Sequence, residues 1–135
     1  MIRYIIVSAS SGILFGILDG IINSNPLAQR LYAIYKPIAK ASVNVPMGVA
    51  IDLGYGFILA AIFRYLYYSL PGKTGSIKGV SFGLLVWFFR IVMSAASNWI
   101  MFHLPPETLL YSIATGLAEM LIIGIIYGLT LRPAA

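Results

Sequence analysis

Cysteine is absent, and histidine occurs once, as His103. Without thiols the chain has no disulfide framework, no iron–sulfur cluster, no thioether-linked haem and no cysteine nucleophile. One histidine cannot supply a two-histidine haem or an ordinary zinc site within one chain, so a metal would have to be held mostly by oxygen, and no metal site is expected. Charge is scarce too. Only 10% of residues are charged, where a soluble domain carries about 25%. The nine Lys and Arg residues exceed the four Asp and Glu residues, yet they are scattered and not interleaved with aromatics, which argues against nucleic acid as a partner. No serine is arranged with a histidine and an acid, and no glycine loop is followed by a Walker lysine, so neither an enzyme nor a cofactor is expected.

What is present is hydrophobic. Sixty per cent of the 135 residues are apolar and the mean hydropathy is +0.92, more than a soluble domain of this size can hide from water. At roughly 20 residues per span the chain has room for four transmembrane helices and no separate soluble domain. The expectation is an all-α integral membrane protein: one membrane domain over residues 1–135, built as a four-transmembrane-helix bundle. The spans run from about Ile2 to Ile22, Pro46 to Tyr68, Ile77 onward, and Thr108 to Leu131. In the third, the small polar run Ser94 to Asn98 is expected to break the helix and leave Trp99 to His103 near the surface. Between the first two, apolar residues at Leu27, Leu31, Ile34, Tyr35 and Ile38 predict an interfacial amphipathic helix. Its tyrosines would sit at the headgroups, with Arg30, Lys36 and Lys40 at the lipid interface, on anionic lipid where present.

The halves 1–67 and 68–135 share a pattern. At an offset of 67 residues Gly12, Phe15, Gly16 and Leu18 align with Gly79, Phe82, Gly83 and Leu85, and Asp52 aligns with Glu119. Two readings are open, coincidence in a glycine- and leucine-rich sequence or tandem duplication of a two-helix unit. Four spans put Arg3, Arg64, Lys73, Lys78 and Arg132 on one side, against Arg30, Lys36, Lys40 and Glu107 on the other. The positive-inside rule then places both termini in the cytoplasm of a bacterial-type inner membrane.

Small residues recur at helical spacing. Gly12, Gly16 and Gly20 in the first span, Gly56 in the second, Gly79 and Gly83 in the third, and Gly124 and Gly128 in the fourth are expected to pack helices closely. Each span also offers one candidate for a charge inside the membrane, away from the basic residues at its ends: Asp19, Asp52, Arg90 and Glu119. Asp19 stands seven residues beyond Gly12, and Arg90 seven beyond Gly83, so both share the small-residue faces, with Ser94 and Ser97 continuing that of Arg90. An ionised side chain in hydrocarbon costs about 3 kcal/mol on insertion scales, which favours pairing or a wet cavity. Together the four would carry a formal charge of minus two when fully ionised, a deficit met by protons or by a cation. Asn23, Tyr55, Ser94 and Asn98 are the expected neighbouring hydrogen-bonding groups.

The leading expectation is therefore a small polytopic protein that binds or transports a small cation or cationic solute through these residues, as a homo-oligomer. Two alternatives remain open: a non-catalytic accessory or assembly subunit that docks on a membrane-protein partner through exposed glycine faces and an aromatic surface, and a lipid-binding membrane organiser.

Overall fold

The computed structural model describes residues 2–38 and 45–131, and these are helical apart from short connections, with no strand among the described residues. Four helices are long and apolar enough to cross a membrane: Ile2–Ser24, Pro46–Ser69, Gly75–Met101 and Pro106–Thr130. Helix α1 (Ile2–Ser24) ends because its last polar side chains turn back on its own carbonyls. Asn23 Nδ2 donates to Asp19 O at 2.8 Å, Ser24 Oγ to Gly20 O, and Asn25 Nδ2 to Ile21 O at 2.9 Å. Asn25 then restarts the chain, since its Oδ1 accepts from Ala28 N at 2.9 Å and Pro26 occupies the first turn of α2 (Pro26–Leu31).

A 3-10 segment over Tyr32–Ile38 follows, and α3 (Val45–Leu66) runs back, closed by a single 3-10 turn at Tyr67–Ser69. Gly72, at φ +120°, makes the sharp turn that follows. A side chain there would be strained and would strike Ile77 Cγ2 at 2.3 Å. Helix α4 (Gly75–Trp87), capped by Thr74, passes through a π-helical turn at Phe88–Val92 into α5 (Met93–Met101). The break expected at Ser94 to Asn98 does not occur. The irregularity lies earlier, where the wider turn absorbs an extra residue while the backbone stays hydrogen bonded. Helix α6 (Pro106–Thr130) is the last element of the described residues.

The long helices pack as two antiparallel pairs, α1 with α3 and α4 with α6, joined chiefly where α1 meets α6. Glycine sets both pairings. A Cβ on Gly56 would lie 2.4 Å from Ser8 O, and one on Gly128 would lie 2.1 Å from Gly75 O, so only bare backbone permits these approaches. Gly12, Gly79, Gly83 and Gly124 are similarly closed in, and Gly16 leaves room for the Asp52 carboxylate. Gly20 differs from its expected packing role: it is exposed and a Cβ there would meet nothing within 4 Å.

Phe15, Phe63, Phe82 and Tyr127 are fully buried where the pairs meet. Tyr127 ties three helices together, sharing a 2.8 Å hydrogen bond with Ser11 and donating to Gly56 O at 3.0 Å. At the same end Lys78 Nζ donates to the Tyr67 and Leu70 carbonyls at 2.8 and 2.9 Å, closing the turn that joins the pairs.

The segment after α1 is helical, first as α2 and then as the 3-10 segment Tyr32–Ile38. It folds over the start of α6, where Thr108 Oγ1 donates to Leu31 O at 2.7 Å and Tyr32 shares a 2.8 Å hydrogen bond with Ser112. Tyr32 and Tyr35 line a cavity between this segment and the long helices. Ser112 on α6 holds the Tyr32 phenol, and the Tyr35 ring packs against that of Tyr32 with centres 5.9 Å apart. Arg30 and Lys36 are exposed, and Lys40 lies outside the described residues.

Candidate functional site

The site begins with Glu119, in the middle of α6, where only 4% of its side chain is accessible. Its Oε1 has no hydrogen-bond partner, and the nearest countercharge is Arg90 Nη1 at 3.9 Å. Arg90 projects from the π-helical turn. Its guanidinium stacks on two rings, with Cζ 4.9 Å from the centre of Tyr55 and 5.7 Å from that of Phe15. Such stacking directs the planar cation without using up its N–H donors.

Asp19 lies within hydrogen-bonding reach of the Glu119 carboxyl, and Asp52 is close enough to interact with the charges of Asp19, Arg90 and Glu119. The structure thus brings together the four ionisable residues that the sequence scattered over four spans. Their positions are unequal. Asp19, Arg90 and Glu119 line a cavity of about 350 Å³, whereas Asp52 stands behind it against Gly16.

Asn23, Tyr55, Ser94 and Asn98 all border this cavity. Ser97 does not, contrary to the face drawn through Arg90, Ser94 and Ser97. The face argument assumed a regular α-helix; a π-helical turn shifts the residues beyond it around the axis, so the cavity side continues through Ile91, Ser94, Ala95 and Asn98. His103 is exposed in the link between α5 and α6, away from the cavity.

Two of the lining residues, Tyr32 and Tyr35, carried no signal for the site, whereas helical spacing alone puts Ser112 and Thr115 on one side with Glu119. Tyr32 and Tyr35 enter from the segment above, and Ser112 and Thr115 continue the Glu119 face of α6. The three-residue spacing of the tyrosines was compatible with a shared face, but it could not show which surface they cover. Burial against α6 raises the Tyr32 pKa above its ordinary value of 10.0, an effect that the hydrogen bond to Ser112 partly offsets. Gly116 is also part of the wall, because a Cβ there would collide with Ile91 Cδ1 at 2.2 Å.

Chemically, the cavity offers carboxyl acceptors, aromatic faces and hydroxyl or amide groups around a buried oxygen that lacks a donor. Among the described residues, no group of three or more His, Cys, Asp or Glu side chains is placed to hold a metal ion. Compared with protein-family models, curated proteins and solved structures, the chain matches none.

Proposed function

We propose that this chain is a multi-pass membrane protein that binds, and as an oligomer moves, a small organic cation through the cavity between α1, α5 and α6. The observation that carries the reading is Glu119: its side chain is buried among the residues that line the cavity, and its Oε1 has no hydrogen-bond donor. A buried acceptor left unpaired costs about 1–3 kcal/mol, and more when charged, so a ligand N–H or ammonium that reaches it recovers that cost. Asp19 supplies a second acceptor beside it. Tyr32, Tyr35 and Tyr55 offer ring faces that suit an alkylated nitrogen, and Arg90 keeps part of the acidic charge balanced when the cavity is empty.

A volume of about 350 Å³ lies at the small end of ligand sites. Both termini are assigned to the cytoplasmic side of an inner membrane from the distribution of basic residues. For the accessory-subunit alternative, the glycine faces are occupied within the chain, Gly12 by Leu53 and Gly124 by Gly79 and Gly83, while Phe89 and Trp99 leave an exposed aromatic surface for a partner.

The test is calorimetric titration of the detergent-solubilised protein with tetramethylammonium across a range of pH, beside the variant Glu119→Gln. Saturable, pH-dependent binding that weakens at least tenfold in a folded E119Q variant supports the reading. Unchanged affinity and pH dependence in that variant would remove Glu119 from the site. Native mass spectrometry of the same sample gives the oligomeric state.

A further inference from the structure

The cavity has an apolar neighbour. A second space of about 330 Å³ lies between α3 and α4, bordered by Tyr55, Leu59, Ile62, Phe82, Leu85, Val86, Phe89 and Arg90. It exists because α3 pairs with α1 and α4 pairs with α6, which leaves α3 and α4 apart over their outer halves. Its polar atoms come only from Tyr55 and Arg90, and those two residues also line the acidic cavity.

The groove is blind at one end. Phe63 and Phe82 meet edge to face with ring centres 5.3 Å apart, and both are fully buried, so the space stops at the aromatic core. From Phe82 to Phe89 on α4, and from Ile62 to Tyr55 on α3, it extends two helical turns, about 10 Å. Ile62 and Leu85 are 40% and 41% exposed, so the groove is open along its outer side, where hydrocarbon would lie.

From this adjacency we infer that the ligand is a single-chain cationic amphiphile that enters sideways from the bilayer, its ammonium in the acidic cavity and its hydrocarbon chain in the groove between α3 and α4. The inference rests on the cation-binding reading above. Three features select this occupant. Asp19 and Glu119 give the cavity an excess of acid over Arg90, so a cationic headgroup is the complementary one. Tyr55 and Arg90 border both spaces and touch each other between them, so a head in one space and a tail in the other belong to one molecule that passes over this pair. The closed floor at Phe82 limits the chain to medium length, shorter than an ordinary phospholipid tail.

Arg90 faces the passing headgroup with its charge already engaged by Glu119 and by the rings of Tyr55 and Phe15. It therefore marks the boundary between head and tail, while the carboxyl groups beyond it attract the cation.

The test compares tetramethylammonium with butyl-, hexyl-, octyl- and dodecyltrimethylammonium, titrated into the full chain in non-ionic maltoside and referred to free aqueous concentration. Affinity is expected to rise roughly three- to fourfold per added methylene until the chain reaches the floor, then to level off. In Ile62→Trp and, separately, Leu85→Trp, both at open positions where an indole would fill the groove, the ratio of octyl to tetramethyl affinity is expected to fall toward one. Two variants guard against misfolding of either.

A chain-length series that survives both substitutions overturns the inference, because the tail then lies elsewhere. A flat series, with tetramethylammonium still bound and still lost in Glu119→Gln, overturns the amphiphile and leaves the cation site standing. Failure of every ammonium to bind overturns both. Octyl sulfate binding as tightly as octyltrimethylammonium also overturns the inference, since Arg90 and not the acids would then choose the headgroup.

Discussion

Gly79 and Gly124 pack backbone against backbone: a Cβ built on either would lie 2.2 Å from the other's carbonyl oxygen. Neither helix can yield locally, because Gly83 with Met120 and Gly75 with Gly128 repeat the same approach one turn away on each side. Close approach of this kind gives apolar helices their van der Waals contact when the surrounding solvent is itself hydrocarbon.

Gly124→Ala is therefore expected to cost about 2 kcal/mol by overpacking. Gly20→Ala, where a Cβ meets nothing, should cost nothing and improve helix propensity. Denaturation of both variants in mixed detergent micelles measures the contrast. Equal midpoints would show that the α4–α6 interface is not the close contact described.

Arg90 and Glu119 should be energetically coupled. Removing the arginine leaves a buried carboxyl with neither a hydrogen bond at Oε1 nor its countercharge, so Arg90→Met is expected to destabilise more than Arg90→Met combined with Glu119→Gln. A coupling of roughly 1 kcal/mol in the double-mutant cycle is the expected size, given the 3.9 Å separation and the partial exposure of Arg90. Strict additivity would mean that the two charges do not interact.

Tyr111 pins the end of α1 to α6. Its hydroxyl donates to Ile22 O at 2.6 Å and accepts from Asn25 Nδ2 at 2.8 Å. Tyr111→Phe removes both bonds and should loosen the roof over the cavity by about 1–2 kcal/mol. The readout is amide hydrogen exchange in Pro26–Leu31, expected to quicken while exchange in α4 is unchanged. Unaltered exchange in both segments would show that the roof is held by packing alone.

Tyr32 sets a limit at alkaline pH. Its pKa is raised by burial above the ordinary 10.0, so the folded state holds the phenolic proton more tightly than the unfolded chain. The contribution is then fully present below pH 10 and is lost as pH rises through the raised folded value. The tyrosinate absorbance difference between wild type and Tyr32→Phe should accordingly appear above pH 10. A midpoint at or below 10 would contradict the burial of this ring against α6.

Much of the architecture was legible in the chain. Four apolar stretches of about 20 residues, punctuated by Asn25–Pro26, Pro71–Gly72 and Pro105–Pro106, mark four helices because length and breakers are local properties. The glycine spacing correctly singled out the faces of close approach, except at Gly20, which lies one turn beyond the point where α1 and α3 still touch. The site was legible in part. Asp19, Asp52, Arg90 and Glu119 stood out because charge is costly among apolar residues, but their partners did not. Tyr127 reads as one more apolar-stretch aromatic, and nothing around it in the sequence announces bonds to Ser11 and Gly56, which lie 116 and 71 residues away.

The sequence by itself determined the all-helical class, the number of long apolar helices and the small-residue faces, since each follows from periodicity and from the cost of burying polar backbone. Tertiary structure alone decided which helices pair, that Tyr32 and Tyr35 turn inward over a cavity, and that a π-helical turn aims Arg90 at Glu119. Those outcomes depend on contacts between residues far apart in the chain, and on one extra residue in a turn whose local sequence, Phe88–Val92, is as apolar as the α-helix around it.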